Sequence, residues 1–411
     1  MLLLRLVVDA YGDERLASWS LLALNLTILY QALGIGPTPD GPLLAGWIGT
    51  IWAVSCAVGR NEGRWWLAAG AFTGLACLGK YTGALLPVVV AVYLVLRPQT
   101  RSWIRRPWPW LGLAIALAIV SPVIWWNADH GWASFAWQGS RRVDAVEGLR
   151  ARHVLLLLAQ QFVVVTPYLF FLAMRECKRG VADAWRAQLD AQDLLLLVAA
   201  VVPLVVFSAA SLVAQARIHW LAPVWWPLLV LTMRRMVARP HERRSLRWGL
   251  ASSAAVLVAA LALALVPNVP IPGDFNSWAG WREAADRVQR QEALARAEGH
   301  STFVFSPNYK ISSLLWFHRG PAGRTYAQEI IDLPAQQFSL FPHPRSLAGG
   351  TGFLVTSDQS QGQIDHGRLE ERFASVQHVD SVSVRGPGGT TRVIDIWRCD
   401  GYRGLDGAAW H

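Results

Sequence analysis

Two charged residues lie beside long apolar segments, where a charge is costly unless it is paired, hydrated or functional. Asp40 stands in a turn between two apolar runs, and Lys80 interrupts another apolar stretch immediately before Tyr81. A carboxylate in such a place can accept a proton from a substrate hydroxyl, and a lysine can bind a phosphate, with Tyr81 in the lining of the site. Each charge also has a structural explanation, because Pro-Asp-Gly favours a turn and a lysine can extend its ammonium group to the membrane surface.

An aromatic loop over residues 125–135 contains His130 and Trp132 and is followed by Arg141 and Arg142. Adjacent arginines can donate bidentate hydrogen bonds to a phosphate, and aromatic rings can form a platform for a sugar or a lipid headgroup. The alternative is an interfacial aromatic belt that anchors the chain. Two adjacent arginines on the outward side run against the positive-inside rule, so we favour a binding site.

A polar turn near residues 214–220 contains Arg217 and His219. These residues could line a substrate site, or they could form a turn that Trp220 anchors at the membrane surface. Because a lone histidine is more often structural than catalytic, the structural explanation is favoured here.

The composition indicates a polytopic membrane protein. The chain has 411 residues, of which 53% are hydrophobic and only 16% are charged, whereas soluble domains carry about 25% charge. Its 22 tryptophans and mean hydropathy of +0.28 agree with this class and exclude a disordered or disulfide-rich protein. The four cysteines have no metal-site spacing and no phosphate-binding loop is present, so we expect neither a metal, nor another cofactor, nor a nucleotide-driven pump.

Apolar segments between residues 16 and 267 predict about nine membrane spans. The short segments 66–80 and 82–96 flank Lys80 and predict two broken helices that meet at a polar tip. One set of alternate loops holds 16 Lys and Arg residues, while the opposite short loops hold five, so the first set should be cytoplasmic. The candidate residues described above then face outward. We predict the spans at about 16–36, 42–58, 66–80, 82–96, 108–126, 153–174, 190–213, 218–236 and 248–267.

The pattern changes after a proline-rich exit at residues 267–273. We therefore predict a transmembrane domain over 1–268 and a small α/β domain on the outer face over 269–411. An amphipathic pattern at 278–298 predicts a helix in the second domain, and a second helix is expected at 309–317. Strands are expected near 301–306, 352–356, 373–379 and 392–397.

Three stretches in this order resemble bacterial GT-C glycosyltransferases of the protein-mannosyltransferase type, with the lipid A aminoarabinose transferase as a more distant relative. They are Thr38–Leu44, Gly79–Gly83 followed by Leu85–Pro87, and Trp126–Phe135. The segments Ile218–Pro223 and Tyr309–Phe317 are similar to further parts of that family. Each motif alone is weak, but the ordered set is fairly specific, and the likeness covers about residues 10–345.

The resemblance implies an α-helical GT-C membrane protein that uses a polyprenyl-phosphate sugar as donor. A hydroxyl acceptor would attack the anomeric carbon with inversion at the outer face of the bacterial cytoplasmic membrane. Asp40 resembles the family's second acid, while Lys80, Arg141 and Arg142 would hold the donor phosphate. The family's main base belongs to a large first outer loop that this sequence does not show, so we expect a chain shortened at its amino terminus. Asp13 and Glu14 fall on the cytoplasmic side and do not replace that base.

Two other functional classes remain open. The chain could be a catalytically inactive scaffold or glycolipid-binding homologue, which the lack of the first-loop acids favours. It could also be a transporter or lipid flippase, but spans such as 190–213 and 248–267 contain almost no polar residues. The expected partners are the lipid-linked donor, the lipid bilayer and a glycolipid, polymer or protein acceptor. Nucleic acid is not expected.

Overall fold

The computed structural model describes residues 1–36, 38–136, 148–266, 279–341, 347–357, 366–386 and 389–404. The chain divides into two compact units, Met1–Leu261 and Ala262–His411. The predicted domain boundary at residues 268 and 269 lies outside the described residues.

Helices make up the first unit. A 3₁₀ turn, Tyr81–Leu85, leads into the sixth helix, and a second, Ile218–Leu221, leads into the twelfth. The helices are α1 Leu2–Tyr11, α2 Glu14–Asn25, α3 Ile28–Ile35, α4 Asp40–Arg60, α5 Trp65–Gly79, α6 Leu86–Leu96, α7 Pro98–Arg101, α8 Pro107–Asp129, α9 Ala151–Val164, α10 Pro167–Trp185, α11 Ala191–Ser211, α12 Ala222–Val237 and α13 Arg243–Leu265.

Within the described residues, four helices are long and apolar enough to cross a membrane, namely α4, α8, α11 and α13. Two bent pairs, α2 with α3 and α6 with α7, raise the number to six if each pair is one span. The mostly helical, membrane-type fold is therefore confirmed. The count of about nine spans stays a prediction, because α5, α9 and α12 are only 14 to 16 residues long and a full span needs about 20.

The predicted single span at 153–174 is wrong in detail, because the structure divides it into α9 and α10. Thr166 adopts a left-handed conformation with φ of 73°, and Pro167 follows it. Proline has no N–H to donate and disfavours a helical conformation at the residue before it. The hydroxyl of Thr166 lies 2.6 Å from that of Ser253 on α13, so this break is tied to a neighbouring helix.

The core of the first unit surrounds α12. Trp225 and Trp226 are fully buried there, together with Trp47 from α4 and Leu86 from α6. Close packing of α4 against α5 depends on Gly46, since a Cβ at that position would lie 2.7 Å from backbone atoms of α5. The small residues on these helices thus bring the ends of α4 and α5 close together.

The second unit is a small α/β structure, as the strand and helix patterns predicted. The strand order is β2-β1-β3-β5-β4, with β1 parallel to β2 and β3 and with β5 antiparallel to β3 and β4. Side chains of successive strand residues alternate between two buried faces, because Phe353 and Val355 join one core cluster and Leu354 joins another. The elements are α14 Trp281–Ala297, β1 Thr302–Phe305, α15 Tyr309–Arg319, β2 Thr325–Tyr326, β3 Thr351–Ser357, α16 His366–Arg372, β4 Ser375–Gly386 and β5 Gly389–Asp400.

Candidate active site

Three of the predicted site residues come together in the first unit although they are far apart in the sequence. The Nζ of Lys80 lies 2.8 Å from Oδ1 of Asp40, and Nε2 of His219 lies 4.0 Å from Oδ2 of the same carboxylate. The Lys80 contact is a charge-assisted hydrogen bond. The His219 distance is longer than a hydrogen bond, although small movements on ligand binding can close such a gap.

The three side chains differ in their access to solvent. The Asp40 side chain is 7% exposed, while those of Lys80 and His219 are 23% and 32% exposed. Asp40 is the first residue of α4, where the helix dipole favours a carboxylate. A ligand that enters the site would therefore contact Lys80 and His219 before Asp40. The carboxylate of Asp40 lies behind both of these side chains.

A glycine places Lys80 beside Asp40. Gly79 ends α5, and a Cβ at that position would lie 2.9 Å from the backbone nitrogen of Leu43 and 3.0 Å from Cβ of Pro42. The absence of a side chain lets the end of α5 approach the first turn of α4. Lys80 then takes an extended conformation between α5 and the following 3₁₀ turn, so its side chain leaves the helix direction and reaches the carboxylate.

A buried glutamine holds the turn that carries His219. The side chain of Gln161 on α9 donates a hydrogen bond of 2.8 Å to the carbonyl oxygen of Ile218. Its own oxygen accepts a hydrogen bond of 2.8 Å from the indole nitrogen of Trp225 on α12. Gln161 has no measurable exposed surface. Both ends of its amide are thus used to fix the backbone beside His219, and we had not singled it out from the sequence.

The environment of His219 favours the neutral imidazole. Although the sequence predicted a span from residue 218, His219 lies in the 3₁₀ turn before α12, outside the described helices that are long and apolar enough to span a membrane. Burial lowers the pKa of His219 below its ordinary value, the positive charge of Lys80 lowers it further, and the carboxylate of Asp40 offsets part of this decrease. A neutral imidazole at pH 7 can accept a proton, which a protonated one cannot do.

Two of the predicted lining residues, Tyr81 and Trp132, pack against the ring of Phe135 in the aromatic loop. Tyr81 stacks on Phe135 with ring centroids 5.1 Å apart, and Trp132 packs against the same ring at 5.8 Å. Buried Asn127 holds the loop, because its side-chain oxygen accepts a hydrogen bond of 3.1 Å from the backbone nitrogen of Ser134. Tyr81 and Trp132 therefore belong to one aromatic cluster, and Tyr81 follows Lys80 directly in the chain.

The other predicted residues have different positions. His130 is exposed and stacks on Trp126, with ring centroids 4.2 Å apart. Arg217 is exposed, and its charge contributes to the lowered pKa of His219. Arg141 and Arg142 lie outside the described residues. In the described part of the chain, no group of three metal-ligating side chains could hold a metal ion.

The acids near the amino terminus have structural partners. The side chain of Asp13 accepts a hydrogen bond of 2.9 Å from the backbone nitrogen of Leu16 and so caps α2. Asp9 accepts hydrogen bonds from Arg60, at 2.9 Å, and from the indole nitrogen of Trp52, at 2.8 Å. The Asp9 contacts join α1 to α4, and the Asp13 contact is a local cap, so both acids are accounted for without a catalytic role.

A family model and a curated relative both match this chain. Residues 1–126 match the family model described as dolichyl-phosphate-mannose-protein mannosyltransferase. The lipid A galacturonosyltransferase RgtD of Rhizobium johnstonii is 23% identical over 291 residues, which are 70% of this chain and 60% of the relative. The chain thus spans less than two thirds of the length of this curated relative.

Solved structures share the fold. ArnT from Cupriavidus metallidurans bound to undecaprenyl phosphate matches with a TM-score of 0.56 and 17% identity, over 96% of this chain and 82% of ArnT. The apo form of the same ArnT matches with a TM-score of 0.56 and 18% identity over the same shares. The family model, the curated relative and the shared fold thus support the resemblance to GT-C glycosyltransferases that the motif order indicates.

Proposed function

We propose that the chain transfers a sugar from a polyprenyl-phosphate donor to a hydroxyl acceptor at the outer face of the bacterial cytoplasmic membrane. The supporting observation is the cluster of Asp40, Lys80 and His219, which joins a cation, a carboxylate and a neutral base at the ends of apolar helices. The second unit, over residues 269–411 in our division, would lie on the outer side of the membrane.

The reaction assigns a task to each part of the cluster. The acceptor oxygen forms a bond to the anomeric carbon from the side opposite the phosphate, which inverts the configuration. The bond from that carbon to the phosphate oxygen breaks, and the polyprenyl phosphate leaves with the electron pair. Lys80 has three N–H donors, of which one serves Asp40, so the others can stabilise the charge on the leaving phosphate. Arg141 and Arg142 are proposed as additional phosphate ligands.

Two groups can take the proton of the acceptor hydroxyl. Asp40 is our sequence-based candidate, but it already accepts a hydrogen bond from Lys80 and lies deeper in the site. It becomes available as a base when Lys80 turns towards the donor phosphate. His219 is more exposed and neutral at pH 7, so it can take the proton directly while Asp40 stabilises the imidazolium that forms. Tyr81, His130, Trp132 and Arg217 would line the substrate path.

The related proteins suggest which substrates to test. The relative RgtD is named for transfer of galacturonic acid to lipid A, ArnT was solved with undecaprenyl phosphate, and the family model is named for mannose transfer to protein. We therefore propose undecaprenyl phosphate as the lipid carrier of the donor. A glycolipid is the first acceptor class to test, ahead of a polymer or a protein.

A transfer assay tests this function. The purified full chain in proteoliposomes would receive undecaprenyl-phosphate galacturonic acid, aminoarabinose or mannose, together with lipid A. We expect glycosylated lipid A and free undecaprenyl phosphate with at least one donor. We expect the Asp40→Asn variant to be slower by about 100-fold or more, the usual size of a lost acid–base contribution. Donor binding without product, for every donor and acceptor tried, would instead indicate a non-catalytic glycolipid-binding homologue.

The pH dependence of transfer identifies the proton acceptor. Because the pKa of His219 is lowered in the folded chain, the neutral form persists below the ordinary pKa of about 6.5. If His219 accepts the proton, the rate is constant at neutral pH and declines on acidification with a midpoint below 6.5. The His219→Gln variant would be slow, and its rate would not show this decline at acidic pH. If the rate of His219→Gln declined on acidification as the wild-type rate does, the proton acceptor would be Asp40.

A further inference from the structure

A second group of charges lies away from the candidate active site. Arg15 in the first turn of α2 and Arg243 and Arg247 in the first two turns of α13 line one cavity of about 80 Å³. Its other lining residues are Trp19, Val237 and Leu246. All three arginines are exposed, and together they line a space about the size of a small anionic group.

This arrangement is electrostatically unfavourable for the protein alone. The cavity lining contains no acidic side chain. The three arginines also lie near helix amino termini, where the helix dipole disfavours a cation. Like charges that line one small cavity repel one another, and solvent screens this repulsion where the side chains are exposed. An anion in the cavity would reverse the sign of each of these interactions.

Neighbouring acids do not neutralise the group. The carboxylate of Asp13 caps α2, and that of Glu242 lies 3.0 Å from Arg239 and 3.7 Å from Arg175. Glu14 is exposed and has no ion pair within the described part of the chain. Arg243 donates only a long hydrogen bond, of 3.4 Å, to the carbonyl oxygen of Val237. Within the described residues none of the three arginines forms an ion pair with an acid, so their charge can meet an anionic ligand.

The surroundings of the cavity favour a lipid over a soluble anion as the ligand. It lies at the ends of two candidate spans, the bent α2–α3 pair and α13. Large apolar side chains on these helices are exposed, including Leu22, Trp248 and Leu261. A soluble anion would use only the arginines, whereas a phospholipid would place its phosphate among them and its acyl chains along these apolar faces. Trp19 beside the arginines is typical of a residue at the level of lipid headgroups.

The site is distinct from the candidate active site. Helix α12 begins directly after the turn that carries His219, and Val237 at its other end lines the cavity. Sixteen residues of α-helix span about 24 Å. By the count of basic residues in the loops, the cavity lies on the cytoplasmic side.

We propose that Arg15, Arg243 and Arg247 form a headgroup site for an anionic phospholipid of the cytoplasmic leaflet. Each arginine near a membrane surface strengthens binding of an anionic lipid roughly fivefold. The three together would make this lipid a tightly held component of the membrane unit. This proposal does not depend on the proposed transfer reaction.

Native mass spectrometry of the delipidated full chain, with equimolar phosphatidylglycerol and phosphatidylcholine added, tests the site. The wild-type chain should retain phosphatidylglycerol in its first adduct at least about tenfold over phosphatidylcholine. The triple variant Arg15→Gln, Arg243→Gln, Arg247→Gln should lose this preference. A matched control, Arg101→Gln, Arg105→Gln, Lys178→Gln, removes the same charge from exposed positions in two other basic segments and should keep it.

Three outcomes would overturn the proposal. The wild-type chain could show no preference for phosphatidylglycerol, or the control could lose the preference as fully as the triple variant, which would indicate only a general effect of charge. Inorganic phosphate at millimolar concentration could also displace the lipid completely, which would assign the cavity to a soluble anion. The single variant Arg247→Gln, which should lower retention by roughly fivefold, keeps the test valid if the triple variant does not fold.

Discussion

Replacement of Lys80 by alanine is expected to lower sugar transfer by about 100-fold or more and to weaken binding of undecaprenyl phosphate. The ammonium group is the described cation closest to Asp40, and it can stabilise the leaving phosphate in the transition state. Loss of one such electrostatic contact typically costs 10²–10³ in rate. Transfer rates and the dissociation constant of undecaprenyl phosphate, measured on wild-type and variant proteoliposomes, check this result.

The structure adds an effect on stability that the sequence did not suggest. Lys80→Ala leaves the buried carboxylate of Asp40 without its cation, which should lower the free energy of unfolding by roughly 1–3 kcal/mol. A double variant, Asp40→Asn with Lys80→Met, removes both charges and should recover most of the stability but none of the activity. Lys80→Arg keeps the charge and should retain part of the lipid binding.

These variants separate a role in chemistry from a role in folding. If the double variant is stable and inactive, the pair is required for transfer and not only for the fold. If Lys80→Ala binds undecaprenyl phosphate as tightly as the wild-type chain, Lys80 does not contact the donor phosphate, and only its structural pairing with Asp40 would remain.

The sequence identified the members of the site more easily than their arrangement. Asp40, Lys80 and His219 were each noticeable as a polar residue at the edge of an apolar segment. Their contact depends on the packing of α4, α5 and the turn before α12, and no local pattern contains that information. The pairing of Asp40 with Lys80 changes the interpretation of both residues, because a carboxylate that holds a cation is less free to act as a base.

Gln161 shows what sequence reasoning missed and why. It lies in an apolar stretch and matches no motif, but a polar amide among apolar residues is itself a signal, because it must find partners when it is buried. Its partners, Ile218 and Trp225, are 57 and 64 residues away in the chain. The signal could have marked Gln161 as important, but only the fold shows that it holds the turn beside His219.

Helix ends were predicted less well than apolar segments. Apolar composition located nearly all the helices of the first unit, but it could not show that 16–36 bends by 81° between α2 and α3. At 153–174 the Thr166-Pro167 pair is a local signal for a helix break, which the prediction of a single span did not use. In the second unit, the alternating patterns located four of the five described strands and missed the two-residue β2, whereas the order of β5 between β3 and β4 depends on long-range pairing.

The close approach at Gly79 provides a second prediction of large effect. A methyl group at this position would lie 2.9 Å from the backbone nitrogen of Leu43 and 3.3 Å from the carbonyl oxygen of Pro39, so Gly79→Ala must push α5 away from the start of α4. Lys80 is the next residue, and its Nζ would move away from Asp40. A displacement of about 1 Å at a catalytic group can cost 10²-fold in rate. We therefore expect Gly79→Ala to reduce transfer by about tenfold or more.

A matched control separates this geometric effect from the general effect of adding a methyl group to a helix. Gly34 in α3 is exposed and has no atom within 4 Å of a Cβ at its position, so Gly34→Ala should leave transfer unchanged and leave stability equal or slightly higher. If Gly79→Ala and Gly34→Ala have the same transfer rate, the approach of α5 to α4 does not position Lys80. If only Gly79→Ala is slow while its undecaprenyl phosphate affinity also falls, the glycine acts through the cation that it places beside Asp40.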